Sequence, residues 1–503
     1  MRLADYLDKG ASMGQDAPCL TTDGRTRSYA EVRKLSFRVS AALAARGVGP
    51  GDRVAVLSAN DPTAFTCVFG ISRAGAVWCP INPRNEAAEN RDLLALFGCK
   101  ALIYQERFAP LVERIRGELP ELTTLVCLDD PASWEEFLSL GVEEVDVPAL
   151  DDLAMVVGTG GTTGRPKGVE LTGTNLETMT AITLMSYPFG ERPVYLALAP
   201  LTHAAGVLCF PILAKGGEIV VMPTPDVGVF LALIERHRVT HTFLPPTLIY
   251  MVLAHEDFDR TDLGTLQCFW YGAAPMSVAR LEEALRRIGP VMGQLFGQTE
   301  APMMVSTMAP ADHFRTDGTV ATERLASAGR PSPLVTVAIM DAGGSLLGRG
   351  EVGEIVVRGS LVMRGYHRDP EATAAASAHG WHHTGDIGYL DDDNFLFIVD
   401  RAKDMVITGG FNVYSTEVEQ AIMQHPAVQD CAVIGLPDEK WGERLTAVLQ
   451  LRAGATLEPA EIRAFVKDRL GSVKTPKQIE VWPDLPRSKV GKILKTDLKS
   501  RLA

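Results

Sequence analysis

Four short strings hold the residues best suited to chemistry. The first is Thr159-Gly160-Gly161-Thr162-Thr163-Gly164-Arg165-Pro166-Lys167-Gly168, which follows directly on the apolar run 153–157. Its glycines let the backbone turn sharply and present N–H groups to an anion, its threonines add hydroxyl donors, and Lys167 adds positive charge. A loop that holds a triphosphate is the chemistry this predicts. It is not the GxxxxGK[ST] pattern, because Pro166 precedes the lysine and Gly168 follows it. Taken by itself, the string also reads as a flexible glycine-rich turn.

The second string, Gly297-Gln298-Thr299-Glu300, is preceded by Tyr271-Gly272-Ala273-Ala274-Pro275. Glu300 offers the hard oxygen that Mg²⁺ prefers, and the small residues 272–274 would let a flat base lie close to the backbone. A solvated surface glutamate is the plainer alternative. The third is His383-Thr384-Gly385-Asp386, with Arg401, Lys403 and Asp404 further on. Asp386 can accept from both hydroxyls of a ribose, and Arg401 can reach the same sugar or its phosphate. A turn aspartate and a surface salt bridge would look the same in sequence. The fourth, Pro486-Arg487-Ser488-Lys489-Val490-Gly491-Lys492, lies in a lysine-rich C-terminus and by default is a solvated charged face.

The elements that must position these strings follow from hydrophobic periodicity. Short apolar runs at 54–57, 101–104, 153–157, 195–198, 219–222 and 268–271 alternate with helical patterns, as at Phe230, Leu233, Ile234 and His237 and at Leu281, Ala284, Leu285 and Ile288. This predicts layered α/β structure with largely parallel strands. From about Ser332 the texture changes to strands joined by Gly-Gly, Gly-Arg-Gly and Asp-Asp-Asp-Asn turns, which predicts a more antiparallel region. Beyond Asp400, a helix is expected from about Thr416 with a Thr416/Glu419 capping box, another over 459–470, and strands at 431–435 and 446–451. The expected division is therefore a large domain over 1–400, with a β-rich subdomain over about 332–400, and a small α+β domain over 401–503.

Composition narrows the function. At 503 residues, with 46% hydrophobic and 22% charged residues, the chain can bury more than one core. A formal charge of −13 offers no footprint for nucleic acid or an anionic membrane surface. The longest apolar stretch, 207–214, is interrupted by Pro211 and is far short of the roughly 20 residues that span a bilayer, so no integral membrane segment is expected. Residues 1–10 lack the pattern of a secretory signal. Eight cysteines are scattered without a CxxC pair or zinc spacing, which predicts buried reduced thiols and a cytoplasmic setting.

In this order, the four strings resemble the acyl-adenylate-forming superfamily of acyl-CoA synthetases, firefly luciferase and peptide-synthetase adenylation domains. The resemblance runs from about Tyr29 to Leu494. It implies that the loop from Thr159 through Gly160, Gly161, Thr162, Thr163 and Gly164 to Lys167 holds the β- and γ-phosphates of ATP, and that Gly272, Ala273, Ala274 and Pro275 lie along the adenine. Thr299 would contact the α-phosphate and Glu300 the Mg²⁺, while Asp386 and Arg401 would bind ribose. Lys403 would be the hinge of a mobile C-terminal lid, and Lys492 the lysine that reaches the substrate carboxylate and the α-phosphate. Gly409 and Gly410 resemble the glycines beside which the pantetheine arm of coenzyme A threads. His203 stands where the family places an aromatic or histidine beside the acid, although a purely structural histidine also fits. Residues near 203–209, 244–248, 270–274 and 301–305 would line the acyl pocket.

The implied reaction is ATP-dependent ligation of a carboxylic acid to coenzyme A through an acyl-AMP, with a fatty, aromatic or alicyclic acid as the small-molecule partner. Loading of the acid onto a separate carrier protein is the other reading, and a homodimer is left open. The chain departs from the family at Gly160, where serine is usual, and in Gln298 and the bulky pair Trp270-Tyr271. If both aromatics face the pocket, they would shape it for a flat or ring-containing acid.

Overall fold

The computed structural model describes residues 1–503 apart from 23, 142, 149–150, 160–165, 202–203, 402–403, 410, 489–492 and 503, and apart from the side chains of 204, 205 and 412. Two large sheets form the body. The nine-stranded sheet has, as its central parallel strands, Met292–Phe296, Cys268–Gly272, His241–Leu244, Val194–Ala197 and Glu218–Val221, in that spatial order. The seven-stranded sheet sets Val77–Ile81, Arg53–Leu57, Cys99–Tyr104 and Thr124–Cys127 parallel to one another, and adds the antiparallel arm Leu153–Thr159 and Lys167–Thr172.

Alternation along the strands assigns each side chain to a layer. Val54 and Val56 share one core with Tyr195, Ala197, Cys268 and Trp270, and the helices Leu3–Met13, Tyr29–Ala45, Pro62–Arg73 and Gly173–Ser186 pack in that same core, between the two sheets. The alternate residues Leu196, Val220, Phe269 and Tyr271 face outward onto the helices Val227–Arg236, Pro246–Leu253 and Val278–Arg287. Ala55 and Leu57 likewise turn to the outer face of the other sheet, against Ala87–Phe97 and Ala109–Ile115. The six expected strands and both expected helices of this region are present. All eight cysteines are buried and none is joined in a disulfide, as expected.

An antiparallel sheet of Thr336–Met340, Gly353–Arg358, His382–Leu390 and Leu396–Arg401 forms the β-rich region that the turns announced. The small C-terminal sheet pairs Val406–Thr408, Gly442–Leu451 and Val428–Asp438, with Gln478–Val481 alongside in parallel. The helix Pro459–Leu470 has the expected bounds. The first helix of this domain begins at Ser415 rather than Thr416, and the expected capping box does not form. Glu419 is drawn inward instead, accepting from the Val433 N–H at 2.8 Å and pairing with Lys495 at 2.7 Å, while the helix start is capped by Asp400, which accepts from the Ser415 N–H. A part-buried lysine that needs a partner prevails over a local turn.

Two buried histidines are held neutral by the main sheet. His241 donates from Nε2 to the Pro188 carbonyl at 2.9 Å and accepts at Nδ1 from Thr240 at 2.8 Å. His313 donates from Nδ1 to the Ala309 carbonyl at 3.0 Å and accepts at Nε2 from the Tyr271 hydroxyl at 2.9 Å. Burial pushes each ring down to about 4. Because the folded value lies below the unfolded one near 6.5, their contribution to stability is whole above that pH and is lost as pH falls toward 4, by about 3 kcal/mol for each ring. The unfolding midpoint in denaturant should therefore fall steeply between about pH 6.5 and pH 4, and His313→Gln should flatten that fall.

Candidate active site

Strands Cys268–Gly272 and Met292–Phe296 are parallel neighbours, with Gly272 opposite Leu295. Their C-terminal ends therefore deliver 273–275 and 297–300 side by side, at the edge where open parallel sheets bind ligands. A Cβ at Gly272 would stand 2.3 Å from the Leu295 carbonyl oxygen, so only glycine lets the strands close up here. Immediately after it, Ala273 takes a left-handed φ of +66°, a conformation that costs a residue with a Cβ roughly 1 kcal/mol or more.

Two antiparallel strands flank residues 160–165, which lie outside the described residues. Thr159 ends the incoming strand, Lys167 begins the outgoing one, and the two are register partners. The ammonium of Lys167 lies 4.6 Å from the ring centroid of Tyr366, whose hydroxyl donates to Glu300 Oε1 at 2.9 Å. Burial, and then the Glu300 carboxylate, push the Tyr366 phenol upward, so it stays a donor. The Met363 N–H donates to the Glu300 carbonyl at 2.7 Å, which fixes the acidic loop from its main chain as well.

Asp386 and Arg401 are cross-strand partners, and Arg401 Nε meets Asp386 Oδ1 at 3.0 Å. The aspartate is 3% exposed and the arginine side chain 48%, so the guanidinium extends from a buried anchor toward solvent. Gln298 Nε2 donates to Asp386 Oδ2 at 3.0 Å and to the Thr384 carbonyl at 2.7 Å. His382, kept below its ordinary range by burial, donates from Nε2 to Gln298 Oε1 at 3.3 Å. Gln298 thus ties the acidic loop to the strand that carries Asp386.

Of the residues singled out by sequence, Thr159, Lys167, Gly272, Ala273, Ala274, Pro275, Thr299, Glu300, Asp386 and Arg401 lie on these adjoining segments. Gly409 stands apart on an exposed hairpin of the small domain, its N–H donating to the Trp441 carbonyl at 2.7 Å. Gly160, Gly161, Thr162, Thr163, Gly164, His203, Lys403, Gly410 and Lys492 lie outside the described residues. Sequence reasoning missed Tyr366 and gave Gln298 no role. Tyr366 is one aromatic in an otherwise ordinary strand pair, without a local signal.

The expectation that Trp270 and Tyr271 together shape the acyl pocket needs correction. Adjacent strand residues point to opposite faces, and only Trp270 turns to the core it shares with Val207, Leu208, Cys209, Ala301 and Met304. Tyr271 faces the outer helices and His313. Leu244, within the span 244–248, also faces outward.

Among the described residues, the small domain touches this region through the polar side chains of Gln420 and Arg487. Gln420 donates to the Met276 carbonyl at 3.1 Å and accepts from the Val278 N–H at 3.3 Å, and Arg487 donates to Thr247 Oγ1 at 3.2 Å.

Residues 7–367 match the family described as AMP-binding enzyme, and residues 417–492 match the AMP-binding enzyme C-terminal domain. The chain belongs to the AMP-binding enzyme family. A medium/long-chain-fatty-acid–CoA ligase of Mycobacterium tuberculosis is 38% identical over 93% of this chain and 85% of its own. A feruloyl-CoA synthase of an Amycolatopsis species is 37% identical over 99% of both chains. Among solved structures, the anthranilate CoA ligase bound to anthranoyl-AMP superposes with a TM-score of 0.91 at 26% identity, over 100% of this chain and 97% of that one. This AMP-binding enzyme is thus an adenylate-forming ligase that uses ATP.

Among the described residues, no group of three or more His, Cys, Asp or Glu is arranged to hold a metal ion by itself. A lone carboxylate beside a phosphate loop suits Mg²⁺, which takes its remaining ligands from phosphate and water. In this AMP-binding enzyme, Gln298→Leu should keep the side-chain volume while removing one donor from both Asp386 and the Thr384 carbonyl. The expected loss is about 1–3 kcal/mol, read as a lower midpoint in chemical denaturation.

Proposed function

We propose that the chain joins a small organic carboxylic acid to coenzyme A with the use of ATP, releasing AMP and pyrophosphate. The observation that carries this reading is the junction of the phosphate-loop hairpin, the acidic loop and the Asp386–Arg401 pair through Tyr366 and Gln298. A nucleotide lying across it would have its adenine along 272–275, its ribose at Asp386 and Arg401, and its phosphates toward 159–167.

The acid's carboxylate attacks the α-phosphorus, and pyrophosphate leaves. Two anions approach in that step, so catalysis is chiefly positioning and neutralisation of charge. Lys167 and the loop amides receive the β- and γ-phosphates, Thr299 the α-phosphate, and Lys492 the attacking carboxylate. Glu300 would hold Mg²⁺, which offsets the charge of the phosphates when bound. The thiol then attacks the acyl carbonyl and AMP departs. Lys403 serves as the hinge by which the small domain, 401–503, brings Gly409 and Gly410 toward the thiol's path. His203 flanks the acid, and Mg²⁺ and coenzyme A complete the set of small molecules. The relatives described above are named for medium- or long-chain fatty acids, feruloyl-CoA and anthranilate, so the acyl group here is proposed only as fatty or ring-bearing.

An AMP-release assay over straight-chain, aromatic and alicyclic acids tests the reading. AMP should form in a manner that needs both acid and coenzyme A. Acid-dependent exchange of pyrophosphate into ATP without coenzyme A-dependent release would favour a carrier protein as acceptor. Lys492→Ala should lower adenylation by at least ~100-fold, the scale of removing one charge-stabilising donor, and unchanged exchange would overturn the mechanism.

A further inference from the structure

We propose that Tyr366 is a positioning residue which holds the Glu300 carboxylate in one orientation for the metal ion that accompanies ATP and keeps Lys167 from pairing with that carboxylate. This rests on the reading that Glu300 serves the metal and Lys167 the phosphates.

Tyr366 is placed by backbone rather than by chance packing. The short strand Gly365–Tyr366 pairs antiparallel with Lys167–Thr172, setting Tyr366 opposite Val169. The bonding continues on both sides, from the Arg364 N–H to the Glu170 carbonyl at 3.0 Å and from the His367 N–H to the Gly168 carbonyl at 2.7 Å. The Tyr366 N–H itself donates to Thr373 Oγ1 at 2.8 Å, which anchors it to the helix Pro370–Ala376. With Met363 bonded to the Glu300 carbonyl at 2.7 Å, the segment 363–366 grips both the phosphate-loop arm and the acidic loop.

The side chain touches one charge with each of its parts. Its hydroxyl donates to Glu300 Oε1 at 2.9 Å, leaving the second oxygen free of this bond, and its ring face carries the Lys167 ammonium 4.6 Å from the centroid. An ammonium attracted to a ring face keeps most of its charge available to an incoming anion. A lysine and a glutamate that both reach one phenol would, without it, collapse onto each other, and each would be neutralised before the nucleotide arrived. No ion pair joins Lys167 to Glu300 among the described residues; the phenol stands between them. Tyr366 thus acts as spacer and hydrogen-bond donor at once.

The two roles separate by substitution. Tyr366→Phe keeps the ring and loses the donor; Tyr366→Ala loses both. ATP binding is measured by calorimetry with Mg²⁺ and again in EDTA, without acid or coenzyme A, so that turnover plays no part. The expected result for Tyr366→Phe is ATP affinity unchanged in EDTA but weakened about 5- to 20-fold with Mg²⁺, together with a higher Mg²⁺ requirement for adenylation. Tyr366→Ala should weaken binding in EDTA as well, because Lys167 is then claimed by Glu300. Equal affinity of Tyr366→Phe and the native protein in Mg²⁺ overturns the proposal, as does an equal loss in both media. If Tyr366→Ala does not fold, Tyr366→Phe decides alone. Glu300→Gln distinguishes the two levels: no change in its Mg²⁺-dependent binding would sink the reading of Glu300, whereas a loss there with Tyr366→Phe unaffected would sink only the role of Tyr366.

Discussion

Repulsion between like charges is the constraint on which this architecture turns. A chain of formal charge −13 that uses ATP must gather a polyphosphate and a carboxylate, and it sets two carboxylates of its own close to Gln298, Asp386 bonded to its amide and Glu300 two residues on. At an effective dielectric near 20, two like charges 4 Å apart cost about 4 kcal/mol, a loss of roughly a thousandfold in affinity if left uncompensated. The structure answers by occupying each carboxylate with specific donors. Asp386 receives Arg401 and Gln298, and Glu300 receives Tyr366. Net charge therefore says little about what this protein binds, because the local field is set by which partner each acid holds.

Those partners come from distant parts of the chain, and only a rigid frame brings them together. Parallel strands with fixed register deliver 273–275 and 297–300 at one edge, and an antiparallel ladder sets Asp386 directly across from Arg401. The hairpin Leu153–Thr159 and Lys167–Thr172 is attached to the other large sheet, so the cleft is assembled from three sheets and is only as accurate as their packing. That packing is the inter-sheet core, filled by helices and by side chains from the inward faces of both large sheets. Folding and catalysis are in this sense one problem.

Legibility in the sequence followed the range of each interaction. The strands that lead into the glycine-rich string and the acidic loop were readable because strand alternation is written in consecutive residues. Tyr366 was not, since its value lies in contacts with Lys167 and Glu300, which are 199 and 66 positions away. The same holds for Gln298, whose amide spans 86 and 88 positions to Thr384 and Asp386. The capping box expected at Thr416 and Glu419 failed for a related reason: Lys495, part-buried at the far end of the domain, claims the glutamate. Trp270 and Tyr271 are the instructive exception. Period-two alternation sends neighbours to opposite faces, so the sequence itself contained the argument against treating them as a pair.

The small domain carries its own cores and lends none to the body. Val406, Val418, Ile422, Val433, Leu445, Leu449 and Ile462 pack with one another, and Leu436, Val448, Leu485 and Leu498 fill the opposite face of the same sheet. Among the described residues neither cluster includes a residue before 406, and the cores of the two large sheets include none after 401. Among the described residues, polar links to the large domain include Gln420 at Met276 and Val278, Arg487 at Thr247 and the Ser415 N–H at Asp400. A neutral hydrogen bond traded for one with water is worth only about 0.5–1.5 kcal/mol net, while pulling apart a shared apolar core would cost about 25 cal/mol for each Å² exposed. Internally the domain is tied by these cores and by the part-buried Lys495–Glu419 pair, whose carboxylate also accepts from the Val433 N–H. Polar contacts outside and apolar cores inside make the small domain a unit whose fold does not depend on a core shared with the body.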